Sequence, residues 1–432
     1  MDWPGVGLIL ERLSASGRAA FIVGGAVRDM IMGLDFDDVD ILTRSDPEDV
    51  EILFKDQKTK QVGQAFPITL VNGVEVASCR SECSGADFPI SDLGMRDFTI
   101  NAMALDPFSG TLIDPFKGKE DIKDGIIRFT RDPVQRIKED PLRMVRACRF
   151  AAKFCSRIEP ASFAAIKTHR QLIADQVSKE RIRLELIKAM VLDFPSLFLT
   201  LLHDTGLLGL ILPSLDRCHT LDGGPFHGET VFEHCLLVGD ALPFSRPLLR
   251  LAGYLHDVGK YDAARIKQGQ LTFAGHEQCC DALENDLARL RFSGREAEYI
   301  LSLVKGHMPP LNEKTTPKAV RRLLVMLADL NLSHKDFLRM RIADKKGNLA
   351  KSPYTFSQIR IRLKKILDEI SNQAALNIND LEISGRDIQN ILSMGPGPGV
   401  GKVKKKLFDQ VVADPSLNTR EALERLIRGL LP

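Results

Sequence analysis

The sequence predicts an α+β chain in which a head built on a mixed sheet is followed by helical segments. Three observations carry this. Strand-like apolar runs (Phe21–Val23, Val39–Leu42 and Phe66–Ala77) all fall early in the chain. The last of them alternates around Asn72-Gly73, a strong hairpin turn signal. From about Asp132 the sequence reads as polar-faced and then apolar helices.

In order, Leu8–Ala15 reads as a helix leading into the strand at Phe21. Gly24 and Gly25 follow that strand, and the helical segment AVRDMIM stops at Gly33. Glycines let a backbone pass close to a phosphate, and the helix start behind them points N–H groups at it. Arg28 lies in the first turn and can add a fixed charge. Asp38 and Asp40 sit two apart in the next strand-like run, so they are expected to point to one side. Converging carboxylates suit a pair of Mg²⁺ ions bridged by a nucleotide's phosphates. A bare Asp-x-Asp is usually a solvated strand and a bare Gly-Gly an ordinary turn. All of them in this order within about twenty residues is far less common, and it points to nucleotidyl transfer.

The segment resembles the first catalytic motif of the class II tRNA nucleotidyltransferases and bacterial poly(A) polymerases, members of the polymerase-β nucleotidyltransferase superfamily. Pro47–Phe54 reads as a helix capped by Ser45 or Asp46. Glu75 follows the hairpin turn; it is a candidate third carboxylate, though a solvent-facing strand Glu is the plainer reading. The string RDFTINAMAL is similar to the family's second motif, which assigns Arg96 and Asp97 to the incoming nucleotide. Asp114-Pro115-Phe116, Gly118, Asp121 and Gly125–Arg128 look like the third, read as a scaffold between head and neck. Only SECSGADFPISDLGM separates Arg80 from Arg96. Members that add all of CCA often carry a longer loop there, and a short one is associated with addition of C alone.

EDPLRMVRACRF follows, with Asp140, Arg143, Arg146 and Arg149 at helical spacing and therefore near one face. A carboxylate beside a guanidinium presents acceptors and donors that imitate the edge of a complementary base. The string resembles the family's fourth motif, to which base reading belongs. Ser178-Lys179-Glu180-Arg181-Ile182 with Glu185 resembles the fifth, read as shaping the neck.

A second constellation begins beyond residue 227. His234, His256-Asp257, His276, His307 and Asp344 lie in largely helical surroundings. In that order they resemble the HD metal-dependent phosphohydrolase superfamily. Imidazoles and carboxylates from several helices can close around a divalent transition metal and activate water against a phosphoester. Lys260 could help to hold a phosphate; His227 is near the array but outside the motif. A lone His on an apolar helix is ordinarily a core residue, a poor account of six matching positions. From about Lys351 the chain is helical and locally basic. The run Gly395–Gly401 should break regular structure, with a helix after it carrying Lys402, Lys404, Lys405 and Lys406. Such a tail resembles the region that holds tRNA in the family, though a solvated lysine face is the equal alternative from the residues alone.

Bulk properties set the frame. At 432 residues, 44% hydrophobic, the chain can fill several cores, and a net charge of +2 makes any basic surface local. Eight scattered cysteines without C-x-x-C pairing read as thiols of a reducing compartment. Neither a signal peptide nor a run of about 18 apolar residues appears, so a cytoplasmic protein without a membrane span is expected. The expected domains are a polymerase-β-like nucleotidyltransferase head at 1–135, a neck at 136–215, an HD domain at 216–350 and an RNA-binding tail at 351–432. The resemblance implies transfer of C, A or both from CTP and ATP to tRNA, with Mg²⁺ in the head and a transition metal in the HD domain. The alternatives are a phosphohydrolase acting on 2′,3′-cyclic or 2′-phosphate ends, or a poly(A) polymerase, whose expected long basic extensions are absent here. The oligomeric state is not fixed by these residues.

Overall fold

A computed structural model describes residues 6–36, 38–62, 68–78, 88–371 and 375–429. The chain forms two compact units, Met1–Glu185 with Leu197–Leu210 and Leu186–Ser196 with Ile211–Pro432.

The first unit opens with α1 (Gly7–Ala15), β1 (Ala20–Val23), α2 (Gly25–Met32), β2 (Asp40–Thr43) and α3 (Pro47–Leu53). Strands β3 (Thr59–Val62), β4 (Ile68–Val71), β5 (Val74–Ser78), β6 (Ala104–Leu105) and β7 (Leu112–Ile113) complete it. They form a seven-stranded sheet in the order β3-β4-β5-β2-β1-β6-β7, with β2 and β5 parallel and β1 and β2 antiparallel. The mixed sheet expected from the sequence is therefore present. Its central strands read as unbroken apolar runs because both faces are covered. Ile22 and Ile41 pack with Leu13, Val27 and Phe54 on one side, while Val23 and Leu42 pack with Leu93 and Ala104 on the other.

The turn between β4 and β5 has Asn72 at φ 52° and Gly73 at φ 92°, as a two-residue hairpin requires. One expectation changes: β2 starts at Asp40, opposite Val23, so Asp38 lies in the segment before the strand rather than within it. Phe66, Cys79, Cys83 and the first part of the short loop before Arg96, residues 81–87, lie outside the described residues.

Beyond the sheet come α4 (Ile90–Leu93), α5 (Gly118–Asp124), α6 (Pro133–Glu139), α7 (Leu142–Lys153) and, at the edge of the unit, α8 (Lys179–Ala189). Asp140 and Pro141 break α6 from α7. Proline has no N–H to continue the helix and pushes its predecessor out of helical geometry, and Asp140 is extended at φ −151°, ψ 97°. Only Arg143, Arg146 and Arg149 therefore share a helix, whereas the sequence spacing had placed Asp140 with them.

Among the described residues the second unit is helical apart from one hairpin and an isolated bridge of Asp222 to Thr230. Its site-bearing helices are α9 (Val231–Asp240), α10 (Pro247–Leu255), α11 (Gly294–Gly306) and α12 (His334–Gly347). Capping boxes at Thr230/Glu233 and Ser293/Glu296 fix the starts of α9 and α11. The hairpin, β8 (Arg265–Lys267) and β9 (Gln270–Thr272), was missed by the helical reading. Its turn residues are Gln268 and Gly269, both at positive φ, without the Asn-Gly signature. At the end, α13 (Gly385–Leu392), α14 (Pro398–Ala413) and α15 (Arg420–Arg428) bury Ile388, Leu407, Phe408, Leu423 and Ile427 together. Helix α14 starts inside the glycine run, because Pro398 at its first turn has its φ already set for a helix. No helix among the described residues is long and apolar enough to cross a membrane.

Candidate functional sites

The head holds a cleft of about 490 Å³. Gly24 forms part of its floor at φ +74°. A Cβ there would meet Arg96 Nη1 at 2.7 Å and Asp40 Oδ2 at 3.4 Å, so a side chain at this position would fill the cradle. Arg28 lines the cleft, and each of its three guanidinium nitrogens already donates one hydrogen bond. Its Nη1 donates to Asn101 Oδ1 at 2.6 Å, and its Nε and Nη2 donate to the Asp29 carboxylate at 2.7 and 2.8 Å. The rings of Phe150 and Phe154 flank its guanidinium. Arg28 therefore braces α2 against the wall of the cleft.

Three carboxylates gather at the sheet. Asp40 is half-buried, Asp38 is exposed, and Glu75 lies on β5 where the parallel register, Ile41 with Val76, sets it beside Asp40. Burial raises the pKa of Asp40, and the Asp38 charge adds to this against the opposing pull of Arg96. Burial likewise raises Glu75, followed by repulsion from Asp40 and Asp38. Glu75 is solvent-facing, as its strand position suggested, yet it also feels both aspartates. Carboxylates that repel one another across a cleft are hard-oxygen donors of the kind that hold Mg²⁺.

On the opposite wall, Arg96 lies 3.7 Å from Asp92, and its buried Nε has no hydrogen-bond partner. Asp97 is saturated: it accepts from Asn101 Nδ2 at 3.0 Å, its neighbour's N–H at 2.9 Å, and Arg146 Nε and Nη2 at 2.9 and 2.5 Å. Burial alone would raise the Asp97 pKa, but the Arg146 charge and these bonds outweigh it and hold the carboxyl low.

Asp140 is gripped by Arg181 of α8, Nη1 to Oδ1 at 3.1 Å and Nη2 to Oδ2 at 2.8 Å. Arg143 is held by Glu139 Oε2 and the carbonyls of Arg136 and Met95. Asp140, Arg143, Arg146 and Arg181 all line the cleft. Arg149 is turned instead into a buried pair with Glu185 at 2.5 Å. Arg181 is the residue the sequence under-used: a neck-shaping position there, it stands here on the cleft wall.

The second unit has its own cavity of about 440 Å³. His256 at the end of α10, His276 at the start of a short 3₁₀ turn (His276–Gln278) and His307 at the end of α11 each turn Nδ1 toward a backbone carbonyl, those of Gly253, Phe273 and Val304, at 2.6–2.9 Å. A carbonyl can only accept, so Nδ1 carries the proton and each Nε2 can offer a lone pair inward. Those Nε2 atoms converge on Asp257, with His276 at 2.9 Å, His256 at 3.2 Å and His307 at 3.5 Å. His234 Nε2 lies 3.3 Å from Asp344 and 3.7 Å from Asp257.

All six positions named from the sequence therefore meet, and His227 and Glu229 adjoin them. His234 Nε2, His256 Nε2 and Asp257 Oδ1 are buried without hydrogen-bond partners. Orphaned lone pairs on mixed nitrogen and oxygen donors fit a divalent transition metal. Burial lowers the His256 pKa, which favours the neutral, ligating imidazole. Groups of three ligand atoms within 4.8 Å, among the described residues, all lie in this unit. On α14, Lys402, Lys405 and Lys406 are exposed, and Lys404 reaches Asn379 Oδ1 at 3.3 Å.

Residues 20–128 match the family described as Poly A polymerase head domain, and residues 157–218 the one described as Probable RNA and SrmB- binding site of polymerase A. The A-adding tRNA nucleotidyltransferase of Deinococcus radiodurans is 30% identical over 412 residues, 90% of this chain and 91% of that one. The CC-adding tRNA nucleotidyltransferase of Halalkalibacterium halodurans is 41% identical over 203 residues, 47% of this chain; that match spans about half of the relative, 52%. The fold is that of the Bacillus stearothermophilus CCA-adding enzyme solved with CTP, at TM-score 0.66 and 23% identity, covering 99% of this chain and 98% of the other.

Proposed function

This chain belongs to the class II tRNA nucleotidyltransferase and poly(A) polymerase family, and from that membership we propose that it adds C, A or both from CTP and ATP to the 3′ end of tRNA without a nucleic-acid template. The observation that carries the reading is the head cleft, where three mutually repelling acids and the Arg96 guanidinium stand about a glycine floor. Asp38 and Asp40, with Glu75 beside them, would hold Mg²⁺, which when bound supplies positive charge to the attacking oxygen and the leaving pyrophosphate. Gly24 and Gly25 admit the triphosphate to the start of α2, and Arg96, whose Nη1 stands beside Gly24, offers its charge to it. Asp97 keeps Arg146 in place at the sugar-facing wall. Asp140 and Arg143 present the base-reading edge, and Arg181 fixes the Asp140 carboxylate in plane. The tRNA 3′ oxygen forms the new bond to the α-phosphorus as the bond to pyrophosphate breaks.

Three tRNA transcripts, ending at the discriminator base, at C and at CC, test the reading with CTP, ATP or both. Extension of all three to CCA identifies a complete enzyme, arrest after CC a C-adding one, and extension of the CC end alone an A-adding one. Asp40→Ala should lower addition at least a thousandfold while tRNA binding, read by filter retention, stays within about twofold. Addition that survives this substitution would overturn the mechanism.

A second reading is supported by the orphaned Nε2 atoms of the histidine cluster. His234, His256, Asp257, His276, His307 and Asp344 would hold a divalent transition metal, whose Lewis acidity serves phosphoester hydrolysis as in HD phosphohydrolases. The chain's own part is to fix the ring tautomers through backbone carbonyls and to set Lys260 and Arg341 at the cavity for a phosphate. Hydrolysis of a nucleoside 2′,3′-cyclic phosphate should vanish in His256→Ala and persist in Asp40→Ala, with the reverse for tRNA extension. A hydrolase that survives His256→Ala would place that chemistry elsewhere.

A further inference from the structure

We infer that Phe226 is the platform on which the histidine-lined cavity stacks the base of its nucleotide substrate. The inference deepens the hydrolase reading of this cavity and rests on it for the fate of the phosphate, though not for the stacking itself.

The backbone around Phe226 is held from several sides. Asp222 bridges to Thr230 across the loop. A Cβ on Gly223 would meet the Glu229 carbonyl at 2.4 Å, and one on Gly224, at φ +87°, would meet the Phe273 ring at 3.1 Å. The loop therefore packs as closely as glycine permits. Asn348 Nδ2 donates to the Phe226 carbonyl at 3.2 Å. With its backbone so fixed, Phe226 is nevertheless 69% exposed, and it lines the cavity. An exposed phenylalanine is by itself ordinary and needs a second observation before it points to a ligand.

Its surroundings supply one. Lys351 Nζ stands 5.6 Å from the ring centroid and also lines the cavity. Arg341 is positioned by Asp344 Oδ2 at 2.9 Å, and Lys260 by Asp257 Oδ2 at 2.7 Å. One cavity thus offers an exposed aromatic face, cations for a phosphate and the convergent ligand cluster. That set matches a base, a sugar and a phosphoester on one molecule. An aromatic face takes any base with little regard to its edge, and the cation beside it strengthens the contact. A volume of about 440 Å³ admits one nucleotide and not a duplex.

The test compares wild type, Phe226→Ala and Phe226→Trp as full chains, with adenosine 2′,3′-cyclic phosphate and base-less ribose 2,3-cyclic phosphate as substrates. Phe226→Ala should raise KM for the nucleotide about tenfold, the loss expected of one stacked base. Its kcat and its KM for the base-less ester should not change, and Phe226→Trp should restore the nucleotide KM. An RNA ending in a 2′,3′-cyclic phosphate, run in parallel, separates a chain end from a free nucleotide as the source of the base. An equal loss on both esters, or none on the nucleotide, overturns the platform.

A second readout does not depend on turnover. Photolysis of 8-azidoadenosine 2′,3′-cyclic phosphate on the metal-free chain should leave an adduct on the peptide of Phe226 or of Lys351. Adducts confined to the head cleft overturn the inference. Labelling at Phe226 without any hydrolysis would remove the hydrolase reading and leave the platform standing, whereas hydrolysis with neither label nor KM effect would do the opposite.

Discussion

Arg146 reaches one oxygen of Asp97 with two nitrogens, at 2.9 and 2.5 Å, while Asn101 holds the other oxygen. The sequence pointed both residues at a nucleotide; the structure adds that each is the other's partner. Removing one member of a buried pair leaves the other charge uncompensated. Arg146→Met should therefore cost stability at the low end of about 3–5 kcal/mol, since the arginine keeps 30% of its side-chain exposure. The sign with pH follows from the depressed carboxyl. A lowered native pKa contributes stability that is fully present above the unfolded value of about 3.9 and is lost as pH falls through the lower native value. Urea unfolding at pH 7 should thus separate wild type from Arg146→Met, and the gap should close as pH falls below about 4. Equal stability at pH 7 would deny the pair its structural part. Arg181 shows what a sequence cannot supply at this scale: its partner Asp140 is 41 positions away. Nothing local marks an arginine on a polar helix as facing a cleft.

At the scale of elements, β1, the glycine pair, α2 and its stop at Gly33 were legible because each carries a local signature. Gly33 is left-handed at φ 67°, as a helix-ending glycine should be. The Asn72-Gly73 hairpin was legible for the same reason. What failed was the strand register at Asp38 and the placing of Asp140 on the helix of Arg143, where strand pairing and a single proline decided the outcome. The hairpin of three-residue strands at Arg265–Lys267 and Gln270–Thr272 carried too little pattern to be seen. The join of β1 to α2 yields the sharpest prediction. Gly24→Ala places a methyl 2.7 Å from Arg96 Nη1 in a backbone conformation reserved for glycine, a strain of about 1–3 kcal/mol. The nucleotide KM should rise more than tenfold with tRNA binding unchanged. Steady-state kinetics beside filter binding would check this, and an unaltered KM would show that Arg96 can move without loss.

For the whole molecule, the two cavities are built from different residues in different units. The histidine positions were legible from their order along the chain, since helix ends converge on a point that spacing alone hints at. His227 was read as near the array though outside its motif; Glu229 was not legible, because its neighbours in space come from α9 and from the loop after α12. Metal binding should stabilise by mass action wherever its ligands lie. Added Mn²⁺ or Zn²⁺, in hydrogen-exchange measurements on the full chain, should protect amides near Leu255–Val258, Val304–His307 and Ala343–Gly347. Strands β1 and β2 should respond to Mg²⁺ with nucleotide instead. Protection spread evenly over both units would contradict separate sites.

The fork of Arg181 on Asp140 has one more consequence. Half of the arginine's side chain faces solvent, and an ion pair so exposed is weakened by dissolved salt. The proposed metal site, anchored on the sheet by half-buried Asp40, is better shielded. Accuracy and speed therefore answer to different surroundings: as ionic strength rises, the wrong letter should be written more often well before writing stops.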